Sequence, residues 1–195
     1  MRIFVAGATG ALGAQLVPRL VADGHDVAGM TRSERKAERL RALGAEPVVC
    51  DVYDAERLAE AVTRFGPDAV VHALTDLPPD QRDLSAWAAA NSRIRREGTR
   101  NLLAAARAAG ARRFLAESIA FPTQGDGQAA VEEHERAVLD AGGVVLRYGR
   151  FYGPGTWHEQ DTAPPPAVHV AEAARRTVEA LDAPPGVIRV VDLES

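Results

Sequence analysis

Three glycines, Gly7, Gly10 and Gly13, stand at the spacing G-x-x-G-x-x-G directly behind the apolar, β-prone run Arg2–Ala6. A strand, a glycine turn and a helix in this order bring a helix N-terminus beside the carboxyl end of a strand. Free backbone N–H groups and the positive end of the helix dipole there suit a pyrophosphate. Gly7 would allow the tight turn, Gly10 the close approach of phosphate, and Gly13 the packing of helix on strand. The spacing therefore predicts a dinucleotide site. One further side chain has a type suited to catalysis. His134 shares a helix face with Val131 and Val138 and would serve as a base near neutral pH if it reached a cleft. The run His158-Glu159-Gln160-Asp161 holds one histidine among flexible carboxylates, a poor donor set, and no metal is expected.

The elements that would position these groups follow from apolar runs and turn residues. Strands are expected at Arg2–Ala6, His25–Met30, Glu46–Cys50, Asp68–His72, Arg113–Glu117, Val144–Tyr148 and Val187–Val191. Helices are expected from Ala11 to Asp23, from Glu34 to Leu43 behind the N-cap Ser33, and from Asp54 to Phe65, where Gly66-Pro67 ends the third. Further helices are expected over Leu84–Ala109, Gln128–Ala141 and Val168–Leu181, with a Pro- and Gly-rich loop at Gly153–Pro166. Short apolar strands alternating with helices predict an α/β fold, a doubly wound parallel sheet of about seven strands with helices on both faces.

With 195 residues one domain spanning 1–195 is expected. A net charge of −4 argues against a nucleic-acid binder, which would carry a basic stripe. No apolar run approaches the roughly 20 residues of a membrane span, and Met1 leads straight into a strand rather than a signal peptide. The single cysteine, Cys50, fits a reducing, cytoplasmic setting and reads as a small buried hydrophobe.

Several segments beyond the glycine turn resemble the short-chain dehydrogenase/reductase superfamily, in its extended or atypical form (epimerase/dehydratase-like, NmrA-like). They are Gly7–Gly13, Cys50-Asp51-Val52, Val70-Val71-His72-Ala73, Asn91 with Glu97–Leu103, Arg113–Ser118, Leu146–Gly155 and the segment at His169. The resemblance implies a Rossmann-type fold in which Thr9, Gly10, Ala11 and Leu12 hold the pyrophosphate. It puts Asp51 and Val52 at the adenine, Ala73, Leu74 and Thr75 along the ribose, and Tyr148 and Gly149 at the nicotinamide. It also implies a homodimer through the helices at 84–109 and 128–141. The second strand ends in Met30-Thr31-Arg32-Ser33 with no carboxylate, and Arg32 suits a 2′-phosphate, so NADP is expected over NAD.

The chain departs from that family in two places. The Tyr-x-x-x-Lys pair that carries the family's proton is absent: its positions fall on Gly127 and Val131, and the sole lysine is Lys36. The loop at 153–167 replaces most of the usual substrate lobe. The expected function is therefore an NAD(P)-binding reductase or epimerase acting on a carbonyl or carbinol, with His134 and Ser118 as substitute catalytic groups; the resemblance puts Ser118 where the family has its catalytic serine or that serine's neighbour, within reach of a substrate carbonyl. Two rivals stand beside it, a non-catalytic NADP sensor of the NmrA-like kind and a non-redox cyclase, isomerase or dehydratase.

Overall fold

The strands form where apolar residues run uninterrupted, because a sheet covered on both faces has no polar side. A computed structural model describes residues 1–192. The main sheet is wholly parallel, in the order β3 (Glu46–Val49), β2 (Asp26–Thr31), β1 (Arg2–Ala6), β4 (Ala69–His72), β5 (Arg113–Ile119), β6 (Val144–Tyr148) and β9 (Gly186–Val190). The order reverses between β1 and β4, the switch point where an open parallel sheet offers a crevice at its carboxyl edge. This is the doubly wound, Rossmann-type fold that the alternation of elements predicts.

Helices α1 (Ala11–Ala22) and α7 (Val170–Glu179) cover one face, packing on Ile3, Val5, Val71, Leu115 and Leu146. Helices α3 (Ala55–Phe65) and α5 (Thr99–Ala108) cover the other, over Phe4, Val70, Phe114 and Ala116. Helix α2 (Glu34–Ala42) starts at Ser33, whose side chain accepts the Lys36 N–H, and α3 starts at Asp54, which accepts that of Arg57. Gly66 ends α3 at φ +63°, a left-handed cap that glycine adopts without strain.

Three expectations are corrected. The tract expected as one helix over Leu84–Ala109 is broken. It runs as a 3₁₀ turn (Gln81–Trp87), α4 (Ala88–Arg93), a π turn (Ile94–Gly98) and then α5. The helix expected from Val168 begins only at Val170. Residues Ala167–His169 instead form β8, which pairs in parallel with β7 (Arg150–Tyr152) as a second, two-stranded sheet. Helix α6 (Gly125–Asp140) opens three residues before Gln128. Of the alanines on the helices expected at a two-fold contact, Ala105 and Ala106 are buried in the chain's own core, whereas Ala88, Ala89 and Ala104 are exposed.

The loop after β7 folds on itself, with the Gly153 N–H donating to the His158 carbonyl at 2.9 Å. It then reaches across to the segment after β4, where the Trp157 indole N–H donates to the Pro78 carbonyl at 3.0 Å. A short strap thus joins two of the connections that leave the carboxyl edge. No described helix is long and apolar enough to cross a membrane.

Candidate functional site

The three glycines serve three different ends. Gly7 has φ +89°, and a Cβ there would lie 2.2 Å from the Ala73 carbonyl oxygen, so the turn and the end of β4 meet only through a glycine. A Cβ on Gly13 would lie 2.3 Å from the Gly7 carbonyl oxygen and 2.6 Å from Ala8 C, which makes Gly13 the seat of α1 on the turn. Gly10 differs: a Cβ would meet only the Gly7 oxygen, at 3.4 Å, an ordinary contact. Its bareness answers no need of the fold, and it leaves the front of the helix N-terminus open. The first intrahelical bond runs from the Ala14 N–H to the Gly10 carbonyl at 2.9 Å, and no side chain caps α1. The N–H groups of Ala11, Leu12 and Gly13 therefore precede the ladder, beside the positive end of the helix, and this set fits a pyrophosphate.

Around this turn the other strand ends gather. Thr9 Oγ1 lies 3.4 Å from Thr31 Oγ1, tying the turn to the end of β2. Asp51 is exposed and accepts the Tyr53 N–H at 3.0 Å, while Val52 is buried and its carbonyl accepts from Asn101. Ala73 is buried against Gly7, and Leu74 and Thr75 follow it partly exposed. Arg32 is more than half exposed and its guanidinium lies 3.1 Å from Asp76, a carboxylate that sequence reasoning missed. Asp76 is buried and also accepts from the Tyr53 hydroxyl at 3.3 Å, so Arg32, Asp76 and Tyr53 form one bridge across three strand ends. Burial and the Asp76 charge push the Tyr53 phenol up to about 12.

Tyr148 and Gly149, expected at the nicotinamide, end β6 with contacts of their own. The Tyr148 hydroxyl lies 2.6 Å from Thr177 Oγ1, and burial drives its pKa well above the ordinary phenol range. A Cβ on Gly149 would fall 2.6 Å from Ala167 C, so this glycine lets β8 pass.

Neither expected catalytic side chain presents itself to the crevice. Ser118 is 1% exposed and donates to Glu135 Oε1 at 2.6 Å, on the face of the sheet covered by α6. Burial opposes the Glu135 charge, but the Arg147 guanidinium and the Ser118 hydroxyl hold its carboxyl below the usual range. His134 is also 1% exposed, with both ring nitrogens engaged. It belongs to a buried polar file: the Leu74 N–H donates to His72 Nδ1 (3.2 Å), and His72 Nε2 lies 3.0 Å from Thr99 Oγ1. Thr99 Oγ1 lies 2.6 Å from His134 Nδ1, and His134 Nε2 lies 3.1 Å from the Glu117 carbonyl. One proton order satisfies all four bonds, with each N–H or O–H donating toward Glu117 and both rings neutral. Burial holds His134 down to about 4 and His72 well below the ordinary imidazole value.

Gly127 and the buried Val131, where the resemblance puts the family's proton relay, hold no ionisable group. No three His, Cys, Asp or Glu side chains among the described residues come together as a metal site.

Comparison with known proteins agrees with this geometry. Residues 7–150 match a family model described as NAD(P)H-binding. The chain is 40% identical over 185 residues to a 3-diazoavenalumate denitrifying reductase from a Streptomyces species, over 83% of the chain and 60% of that protein. It is 36% identical over 118 residues to a 4-hydroxy-2-methyl-3-oxo-4-farnesyl-3,4-dihydroquinoline-1-oxide ketoreductase of Stigmatella aurantiaca, over 59% of the chain and 32% of that protein. The chain thus spans less than two thirds of the length of either relative. In fold it is similar to a Thermus thermophilus UDP-glucose 4-epimerase solved with NAD, with TM-score 0.81 at 20% identity over 98% of the chain and 78% of that one.

Proposed function

Because this chain belongs to the NAD(P)H-binding family, we propose that it is a nicotinamide-dependent reductase that prefers NADP and acts on a carbonyl carbon or on a diazo carbon made electrophilic by protonation. The observation that carries the reading is the cradle at Gly7–Gly13, in which Gly10 alone is bare without the fold requiring it. Ala11, Leu12 and Gly13 would hold the pyrophosphate through backbone N–H groups, and bare Gly10 would let it approach. Ala73, Leu74 and Thr75 would lie along the ribose. Arg32 would take a 2′-phosphate by leaving or sharing Asp76, so the cofactor's phosphate and the Asp76 carboxylate compete for one guanidinium.

When bound, the reduced cofactor supplies a hydride. The two relatives, one named for a diazo compound and the loss of its nitrogen, the other a ketoreductase, support a carbon electrophile as its acceptor. Either acceptor takes one hydride and one proton. With Gly127 and Val131 at the relay positions, that proton must come from a group other than the usual tyrosine.

Calorimetric titration with NADPH and NADH, followed by turnover with C4-deuterated NADPH on α-diazo carbonyl compounds and ketones, tests the proposal. We expect NADPH to bind tighter by about tenfold or more, roughly 1.4 kcal/mol. That preference should vanish in Arg32→Ala, and deuterium should appear on the reduced carbon. Failure to bind either nucleotide overturns the reading. Binding without consumption across both substrate classes replaces it with a nucleotide-sensing role.

A further inference from the structure

Every phenol and every core imidazole near the carboxyl edge already has its proton committed. Tyr53 donates to Asp76, Tyr148 is bonded to Thr177 and Tyr152 donates to Asp192 at 3.1 Å. His72 and His134 are locked in the neutral file. One acidic side chain in the same place has no such commitment, and that is Glu117.

Its position follows from register. In the parallel pairing of β4 and β5, His72 stands opposite Ala116, so the residues that follow them, Ala73 and Glu117, share a face and a level. Ala73 is the residue on which the Gly7 turn rests. On the other side Glu117 stands opposite Leu146 of β6, again on the face covered by α1 and α7. Ser118, one residue on, points to the opposite face. Glu117 keeps part of its surface open while Ala116 and Ser118 on either side are buried, as a side chain at the floor of a crevice would. Its backbone is fixed by the file, which starts at the Leu74 N–H and ends on the Glu117 carbonyl.

From this placement we infer that Glu117 is the proton-exchanging catalytic residue of the crevice. The inference rests on the reductase reading. Arg95, buried on the π turn that packs against α5 and α6, is the cation whose charge acts on Glu117. Burial pushes the Glu117 carboxyl up to about 7 and Arg95 pulls against that rise. The remaining titratable groups around it are the Tyr148 phenol on β6, Glu135 on α6, already paired with Arg147, and the neutral His134.

The step balances. With a ketone, hydride forms the new C–H bond while the Glu117 O–H bond breaks and the product O–H bond forms, leaving Glu117 as a carboxylate. With a diazo carbon, proton and hydride both end on carbon, and dinitrogen leaves with the electron pair of the C–N bond.

Two readouts of Glu117→Gln test this, infrared difference spectra and the pH profile of turnover. The wild-type-minus-variant spectrum should hold a carboxylic acid band that fades as pH rises through about 7, and NADP⁺, whose ring is cationic, should move that midpoint down. In turnover kcat should fall as pH rises through the same range, and Glu117→Gln should lose about 100-fold or more in kcat and lose that pH dependence. Its nucleotide affinity and melting temperature at pH 6 should stay close to wild type. Arg95→Met should raise the infrared midpoint. A band that ignores NADP⁺, or a Glu117→Gln variant with wild-type kcat and pH profile, overturns the assignment. Should no substrate be reduced by the wild type, the reductase reading fails by itself, and the infrared response to NADP⁺ still decides whether Glu117 lies at the nucleotide.

Discussion

At the scale of single residues, the two glycines Gly10 and Gly13 separate binding from folding. A methyl at Gly13 would press on backbone atoms at 2.3 and 2.6 Å, which cannot move aside as a side-chain tip can. Gly13→Ala should therefore destabilise by about 1–3 kcal/mol in urea unfolding, in line with overpacked sites. Gly10→Ala meets one atom at 3.4 Å from a backbone with ordinary φ of −77°, so its melting temperature should barely change. Its NADPH affinity should nonetheless fall at least about tenfold, since the methyl occupies the approach to the helix N-terminus. Equal losses in both variants would contradict the division of roles. The three glycines were legible in sequence because type and spacing carry their meaning. Asp76 was not, since a carboxylate in a Pro-rich loop has no pattern linking it to an arginine 44 residues away. Ser118 and His134 were legible as polar groups in apolar surroundings, but the sequence does not say which face of the sheet they share. In both cases that face is the core.

At the scale of elements, the seven strands of the main sheet could be read because each is a short apolar run closed by turn residues. The paired strands β7 and β8, three residues each, are too short to show any period. The π turn escaped because alanine-rich sequence on either side keeps helical spacing, and nothing in the sequence marks the residues it buries, Ile94, Arg95 and Gly98. Thr99 is the hinge of the polar file, the only hydroxyl between two neutral imidazoles. Thr99→Val keeps the shape and leaves one buried donor and one buried acceptor without partners. Urea unfolding should register a loss of about 2–4 kcal/mol. A change below about 0.5 kcal/mol would mean that the file does not hold α5 and α6 to the sheet.

At the scale of the whole molecule, buried histidines and a buried glutamate act on stability in opposite directions with pH. The folded His134 titrates near 4, below its ordinary 6.5, so the unfolded chain takes up the proton first and stability is lost as pH falls from about 6.5 toward 4. A difference of that size corresponds to at most about 3 kcal/mol, and His72 acts in the same sense. Glu117, raised from 4.5 to about 7, contributes fully below 4.5 and loses that contribution as pH rises through 7. Two histidines outweigh one carboxyl, so wild-type urea midpoints should decline from pH 6.5 to 4.5. In Glu117→Gln the decline should be steeper, because the opposing contribution is gone. A flat wild-type profile would show that the imidazoles are not buried as described.

The strap that carries Trp157 to the Pro78 carbonyl has an optical consequence. The chain holds two tryptophans, and one of them is hung on the connection that crosses between strand ends, a segment apart from the sheet's rigid core. Reduced nicotinamide absorbs where tryptophan emits, so an indole stationed at that crossing becomes a built-in distance gauge. With Trp87 replaced by phenylalanine, the glow of Trp157 alone would follow the arrival and departure of the cofactor in real time, with no label added.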